Sequence, residues 1–298
     1  MQQHTARDYR ELFCIGAMTE LEKSLYGERD PYAEKARGMH FCTSTTKAGN
    51  MLNVRVYPIW GRSERAKAEG IRKGLSEEQQ RRHNREKAAR RLRLLCEANF
   101  GAGDVHVTLT YRGEAPAWQR AGKDVGNFLR AIRRLRRRRG LPEMRYLYVI
   151  EEEDGEGAPR RIHVHLLMSG GISREEIEGK WNRGYANADS LQPDAADGLK
   201  ALAAYLTKTR REKHQRQWSS STNLIKPKTT VSRTRMSNRR VRQLCSALPA
   251  EAAEAVEQVF RGYRLTECRV WTSEWVNGVY VDVLLRRAGK GAAPSARA

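Results

Sequence analysis

The segment from Arg161 to Met168 alternates between two sets of side chains, which predicts a β-strand. Apolar residues occupy every second position, and two histidines, His163 and His165, share the opposite face. Side chains at i and i+2 of a strand lie roughly 7 Å apart at their Cα atoms, so that both imidazoles can converge on one cation. The pattern therefore predicts a strand that presents a pair of histidines.

A second predicted strand, from Met144 to Ile150, runs directly into three glutamates. The segment 154–159 that follows has the composition of a turn. If the two strands fold as a hairpin, the glutamates return beside the histidines and complete a set of two imidazoles and one carboxylate. Glu151 and Glu153 share one face and Glu152 takes the other, although an acidic strand end that only solvates a turn would explain two of the three.

The same pattern predicts elements along the rest of the chain. Outside this hairpin they are strands at 52–57, 107–111, 183–189, 264–274 and 278–285, and helices at 9–25, 76–100, 124–139, 173–181, 198–208, 237–245 and 249–260. The segment 223–230 is interpreted as a basic loop. Together they predict an α+β fold, a mostly antiparallel central sheet flanked by basic helices, with added N-terminal and C-terminal elements.

Composition adds a strong positive charge. Lysine and arginine number 56 against 35 acidic residues, which gives a net charge of +21 and a pI near 10.2. An excess of this size favours a polyanionic partner, with nucleic acid ahead of a membrane surface. We expect no membrane association, because the sequence has neither a long apolar run nor a signal-peptide pattern. Five scattered cysteines without a CxxC pair indicate a reducing cytoplasm.

Two predicted helices concentrate this charge. Six of the seven residues at 133–139 are arginines, and the helix at 76–100 carries seven basic side chains. A charged helix face is most often only solvated, but charge of one sign favours contact with phosphates, although a nuclear-localisation run has a similar composition. The candidate nucleic-acid-binding residues are Arg90, Arg91, Arg133, Arg134, Arg136, Arg137 and Arg138.

Three short motifs follow one another along the chain. They are Val107–Thr–Leu–Thr–Tyr111, His163–Val–His165 and Tyr205–Leu–Thr–Lys208. In this order, and with a hairpin glutamate, they resemble the HUH endonuclease superfamily, specifically the rolling-circle replication initiators of phages and plasmids, over approximately residues 100 to 210. The resemblance implies a palm-like sheet in which the first motif lies beside the histidine strand. The tyrosine motif departs from some members by having one tyrosine instead of a closely spaced pair.

The resemblance also implies a chemistry, the nicking and rejoining of single-stranded DNA at a replication origin. Tyr205 would be the nucleophile that forms a 5′-phosphotyrosine intermediate, and Lys208 would offset negative charge. His163, His165 and Glu151 would hold a divalent metal, Mg²⁺ or Mn²⁺. The expected partners are single-stranded or origin hairpin DNA and a host helicase and polymerase, in the cytoplasm of a bacterial host cell.

The domain organisation predicted on this basis has four parts. They are an N-terminal extension with a β-strand at 1–75, a nuclease core at 76–218, a C-terminal basic loop, helices and hairpin at 219–288, and a disordered tail at 289–298. Two other functions stay open. One is a non-catalytic nucleic-acid-binding protein, and the other is a metal-dependent hydrolytic nuclease that forms no covalent intermediate. The sequence does not decide among Glu151, Glu152 and Glu153 as the third ligand, nor the oligomeric state or the DNA sequence recognised.

Overall fold

A computed structural model describes most of the chain as two compact units. The described residues are 36, 38–59, 77–153, 161–194, 198–206, 218–247, 249–272 and 278–288. The central unit comprises residues 81–226, whereas the terminal unit combines residues 1–80 with 227–298. Each unit contains one five-stranded antiparallel sheet, so the predicted α+β class with an antiparallel central sheet is confirmed.

The described elements alternate between strands and helices along most of the chain. In chain order they are β1 (His40–Ala48), β2 (Met51–Ile59), α1 (Glu77–Asn99), β3 (Val105–Thr110), α2 (Trp118–Arg138), β4 (Tyr146–Glu153), β5 (Arg161–Met168), α3 (Arg174–Glu178), β6 (Ala186–Ser190), α4 (Lys200–Tyr205), β7 (Ser219–Ser220), β8 (Lys228–Ser232), α5 (Asn238–Ser246), α6 (Pro249–Glu257), β9 (Tyr263–Thr272) and β10 (Val279–Arg287). The predicted helix at 9–25 and the predicted tail at 289–298 lie outside the described residues.

The sheet of the central unit has the strand order β6-β3-β5-β4-β7. β4 and β5 form the predicted hairpin, and its register places Glu151 opposite His163. On the other side of β5, Thr110 of β3 also lies opposite His163, and Thr108 lies opposite His165. Cross-strand partners project to the same side of a sheet, so the glutamate, the histidines and the threonines share one face.

The opposite face of this sheet packs against α2. Apolar residues of α2 recur at positions 125, 128, 129 and 132, which form one side of the helix, and they are buried against Val107, Val164 and Leu166. α2 begins at Trp118, whereas the sequence analysis placed its start at 124. The residue before the helix, Ala117, makes no side-chain capping hydrogen bond, so the helix start lacks the N-cap signal that sequence analysis depends on.

The histidine-bearing face is covered by a second apolar cluster. Leu92 and Cys96 of α1 pack there together with Leu199 and Leu206, which flank α4. Their partners from the sheet are Leu147, Val149 and Leu167. Full burial of a leucine side chain stabilises a fold by about 1.5–3 kcal/mol, so this cluster holds α4 on the face that carries the histidines.

The terminal unit joins strands from both ends of the chain. Its strand order is β8-β1-β2-β10-β9, and β2 pairs directly with β10. The predicted hairpin of β9 and β10 is confirmed, and the predicted strand at 52–57 is part of β2. The prediction that Pro58 ends this strand is wrong, because β2 continues to Ile59 in pairing with β1. The pairing with β10 ends at Val56, so Pro58 lies beyond the region where both sides of β2 need N–H donors.

β1 and β8 were not predicted. The interpretation of 223–230 as a loop is wrong for its last residues, since β8 begins at Lys228 and pairs with β1. Two threonines and a valine give β8 the β-branched composition that favours strands. Its mostly exposed side chains hide that preference from a search for hydrophobic alternation.

Candidate active site

Glu151 and His165 form the contact at the centre of the site. The Oε2 atom of Glu151 lies 3.3 Å from Nε2 of His165, and His165 is only 4% exposed. The other ring nitrogen, Nδ1, lies 3.4 Å from the hydroxyl oxygen of Thr108. The imidazole therefore has a polar partner on each side, and the β3 hydroxyl orients Nε2 towards the glutamate.

His163 occupies the neighbouring position on the same face. Its ring centroid is 6.4 Å from that of His165, and the two rings are nearly perpendicular at 71°. The three predicted ligands thus share a face, with Glu151 and His165 in contact and His163 one ring away. In the part of the chain that the structure describes, no three His, Cys, Asp or Glu side chains are grouped closely enough to hold a metal ion as they stand.

A further histidine lies beside this group. The ring of His106 in β3 stacks on His165 with centroids 5.6 Å apart and an angle of 21°. Burial, and then the neighbouring His165, lower the pKa of His106 to about 4. The sequence analysis did not single out this residue, although it alternates with Thr108 and Thr110 and so belongs to the same strand face.

Burial also sets the charge state of His165. Burial lowers the pKa of His165 below its ordinary value, the carboxylate of Glu151 opposes this shift, and His163 adds to it. A neutral imidazole has a lone pair available for a metal. Two donor atoms bound cis to one cation at about 2.1 Å lie roughly 3 Å apart, so the contact between Glu151 and His165 fits the donor set and spacing of a divalent ion.

The predicted nucleophile is the last residue of α4. Leu206, which follows Tyr205, is buried in the cluster on the histidine-bearing face. The backbone N–H of Leu199 donates to the buried carboxylate of Glu97 in α1 at 2.8 Å, which anchors the start of this segment. The structure therefore brings the backbone of Tyr205 to the histidine-bearing face. The side chain of Tyr205, and Lys208 as a whole, lie outside the described part of the chain.

The predicted DNA-binding arginines have different environments. Arg91, Arg134, Arg137 and Arg138 are exposed, and Arg90 is half-buried. The half-buried Arg133 places its guanidinium 5.2 Å from the centre of the Tyr146 ring.

Arg136 differs from these residues, because it is 4% exposed. Its guanidinium donates to the carbonyl oxygens of Pro142, Ser169 and Gly170. These bonds hold the end of α2 against the end of β5. Arg136 therefore supports the fold, and we leave it out of any surface for phosphates.

Comparison with known proteins finds one family. Residues 104–210 match the family model of the replication-associated protein ORF2. The matched segment lies within the central unit and includes β3, the hairpin of β4 and β5, and α4. It covers all three motifs and supports a role in DNA replication. No curated protein and no solved structure matches the chain, and none of the helices that the structure describes is long and apolar enough to cross a membrane.

Proposed function

We propose that this protein is a replication initiator that nicks and rejoins single-stranded DNA, with Tyr205 as the nucleophile and a divalent metal, Mg²⁺ or Mn²⁺, held by His163, His165 and Glu151. One observation carries the proposal. α4, which ends at Tyr205, packs through Leu199 and Leu206 onto the same sheet face that presents the contact between Glu151 and His165. The nucleophile and the metal ligands come from distant parts of the sequence, and packing brings their backbones to one face.

The chain's own residues would perform the transfer as follows. The phenol oxygen of Tyr205 attacks the phosphorus atom and loses its proton, while the bond from phosphorus to the 3′ oxygen breaks and that oxygen gains a proton. The products are a 5′-phosphotyrosine and a free 3′-hydroxyl. Because one phosphoester replaces another, the same residues can run the reaction backwards and rejoin the strand.

Two groups would support this transfer. A bound divalent cation would supply Lewis-acid stabilisation of charge on the phosphate. Thr108 and Glu151 hold His165 in place from its two ring nitrogens, which keeps a lone pair directed into the site. Lys208, one helical turn beyond Tyr205 in the sequence, would offset negative charge.

The positive surface would hold the DNA strand. The exposed arginines of α2 and α1 are suited to contact phosphates without reading the bases. We infer that a host helicase opens the duplex, because the sequence has no Walker A motif.

The decisive experiment is a covalent-adduct assay. The protein is incubated with end-labelled single-stranded DNA from its own replicon and Mn²⁺, and the products are separated on a denaturing gel. We expect a protein–DNA adduct that disappears in Tyr205→Phe and in the presence of a chelator. Tyr185→Phe is the matched control, since Tyr185 is 68% exposed and only its backbone carbonyl accepts hydrogen bonds from Thr110.

Three outcomes would contradict the proposal. An adduct that persists in Tyr205→Phe would show that another residue is the nucleophile. Cleavage without an adduct would identify a hydrolytic nuclease, in which water attacks. Reversible binding without cleavage would identify a nucleic-acid-binding protein whose histidines only line a strand.

A further inference from the structure

A groove lies between the start of α2 and the outer part of β4, on the face of the sheet opposite the histidines. It has a volume of about 300 Å³, which is at the small end of the range for ligand sites. Three of its lining residues are aromatic, Trp118 of α2, Tyr148 of β4 and Trp218 next to β7. All three are half-buried, so each combines packing in the fold with surface directed to the groove.

The aromatic surface continues along β4. The ring of Tyr146 stacks on that of Tyr148 with centroids 6.3 Å apart and an angle of 18°. The guanidinium of Arg133 lies over the Tyr146 ring at 5.2 Å. Aromatic rings followed by an arginine form the kind of surface on which the bases of a single strand stack.

The charge around the groove is suited to a polyanion. Lys123 lines the groove, and none of the eight described lining residues is acidic. Lys123 also begins an exposed row on α2 that continues with Arg130, Arg134 and Arg137. Spacings of seven, four and three residues place this row on one side of the helix, so the phosphates of a strand with a base in the groove would meet positive charge.

We propose that this groove binds an unpaired base of single-stranded DNA by stacking against Trp118, Tyr148 and Trp218. The inference rests on the proposed function in one respect, that single-stranded DNA is the substrate. The groove accepts one flat ring between the side of the helix and the strand. A base within a duplex has both faces covered by its neighbours, so the groove favours unpaired DNA.

The position of the groove relates it to the candidate active site. Side chains alternate along β4, so that Tyr148 and Ile150 line the groove while Val149 and Glu151 face the histidine side. Tyr148 and Glu151 are three residues apart, which is about 10 Å along a strand. A base held against Tyr148 would therefore fix the DNA strand at the edge of the strand that carries Glu151.

The test compares two probes under conditions that prevent nicking. Full-length protein in EDTA is titrated into a fluorescein-labelled oligothymidylate, and separately into an abasic oligonucleotide of equal length, and binding is followed by fluorescence anisotropy. Stacking of a base contributes about 5- to 150-fold to affinity. We expect the wild-type protein to bind the oligothymidylate at least fivefold more tightly than the abasic strand.

Two glycines of α2 provide a matched pair of variants. A Cβ atom at Gly122 would lie 4.0 Å from Cδ1 of Ile150, and both residues line the groove, so Gly122→Leu fills the groove without a backbone clash. A Cβ atom at Gly126, one turn further on, meets no atom within 4 Å, and Gly126 does not line the groove. Both replacements favour the helix over glycine, and thermal melts check that both variants fold.

We expect Gly122→Leu to remove the preference for the base-containing strand while binding of the abasic strand stays unchanged, and Gly126→Leu to keep the preference. A preference that survives Gly122→Leu, or equal binding of both probes by the wild type, would overturn the inference. Loss of self-association in Gly122→Leu with an intact base preference would also overturn it, because a second copy would then be the occupant. Failure of the covalent-adduct assay with an intact base preference would overturn the proposed function alone.

Discussion

The two antiparallel sheets of this protein place charged side chains at similar positions but with opposite chemical results. In the terminal unit, Asp282 of β10 lies opposite Arg55 of β2, and their side chains form an ion pair of 3.1 Å. The indole of Trp271 donates to the other carboxylate oxygen at 3.1 Å. In the central unit, the corresponding cross-strand position has Glu151 opposite His163, and its carboxylate faces the neutral imidazole of His165.

The difference shows which part of such a sheet can have a chemical function. Arg55 is a permanent cation and Trp271 is a donor only, so Asp282 is held by groups that cannot bind a metal. His165 is a donor or an acceptor according to its tautomer and keeps a lone pair when neutral. The backbone arrangement of the two sheets is the same, and the residue types at one register position distinguish a structural ion pair from a candidate active site.

The largest effect is expected from removal of the carboxylates at these two positions. Glu151→Gln should lower the rate of adduct formation by at least about 100-fold, because replacement of groups that only support metal ligands already costs 10- to 100-fold. Asp282→Asn should leave adduct formation unchanged and reduce the stability of the terminal unit. Adduct yield and urea unfolding of both variants measure the contrast, and equal nicking by the two variants would contradict it.

The next effect concerns the packing that places α4. Leu206→Ala should reduce stability by about 2–5 kcal/mol and also reduce adduct formation, because the buried Leu206 holds the end of α4 on the histidine-bearing face. Leu285→Ala is the control, since Leu285 is equally buried in the core of the terminal unit. Comparable losses of stability with a loss of nicking only in Leu206→Ala would support the assigned position of Tyr205, whereas unchanged nicking in Leu206→Ala would argue against it.

A smaller effect is expected at Thr108, the hydroxyl beside the imidazole of the central unit. Thr108→Val keeps the shape of the side chain but removes the hydroxyl beside Nδ1 of His165, and we expect Mn²⁺ affinity to fall by about tenfold. Thr108→Ser should retain the affinity. Isothermal titration with Mn²⁺ in the absence of DNA measures both, and a valine variant with wild-type affinity would show that the hydroxyl has no positioning role.

The smallest effect separates two neighbouring arginines of α2. Arg134→Ala should lower the slope of log affinity against log salt by about 0.7 for single-stranded DNA, the value for one phosphate contact, with little change in stability. Arg136→Ala should instead destabilise the fold by about 1–3 kcal/mol, because the carbonyl groups it satisfies become unpaired. Salt titrations and unfolding curves of the two variants should therefore give opposite results, and a reduced salt slope in Arg136→Ala alone would contradict the assignment.

The sequence predicted the central hairpin well because its signals are local. The alternation at 161–168 and the turn composition at 154–159 together determine the register that places Glu151 beside His163. The roles of Arg136 and His106 were not predictable in this way. Both depend on neighbours distant in sequence, the carbonyls of Ser169 and Gly170 for Arg136 and the His165 ring for His106.

The terminal unit was harder to predict for a related reason. β1 pairs with β8, and the Cα partners in that register, such as Thr45 and Thr230, are far apart in the chain. Neither strand has a clear hydrophobic alternation of its own, and no turn joins them. The predicted domain boundaries, which treat 1–75 and 219–288 separately, stay a prediction, but strands from both segments form one sheet.

The pairing of β2 with β10 also determines the order in which the chain can fold during translation. Val54 pairs with Val283, and the whole central unit is synthesised between them. At ribosomal rates of about 5–20 residues per second, β2 waits on the order of ten seconds or more for its partner strand. The sheet of the central unit can be completed during that time. The terminal unit is the last to fold, and the exposed edge of β2 is the part of the nascent protein most in need of protection against aggregation.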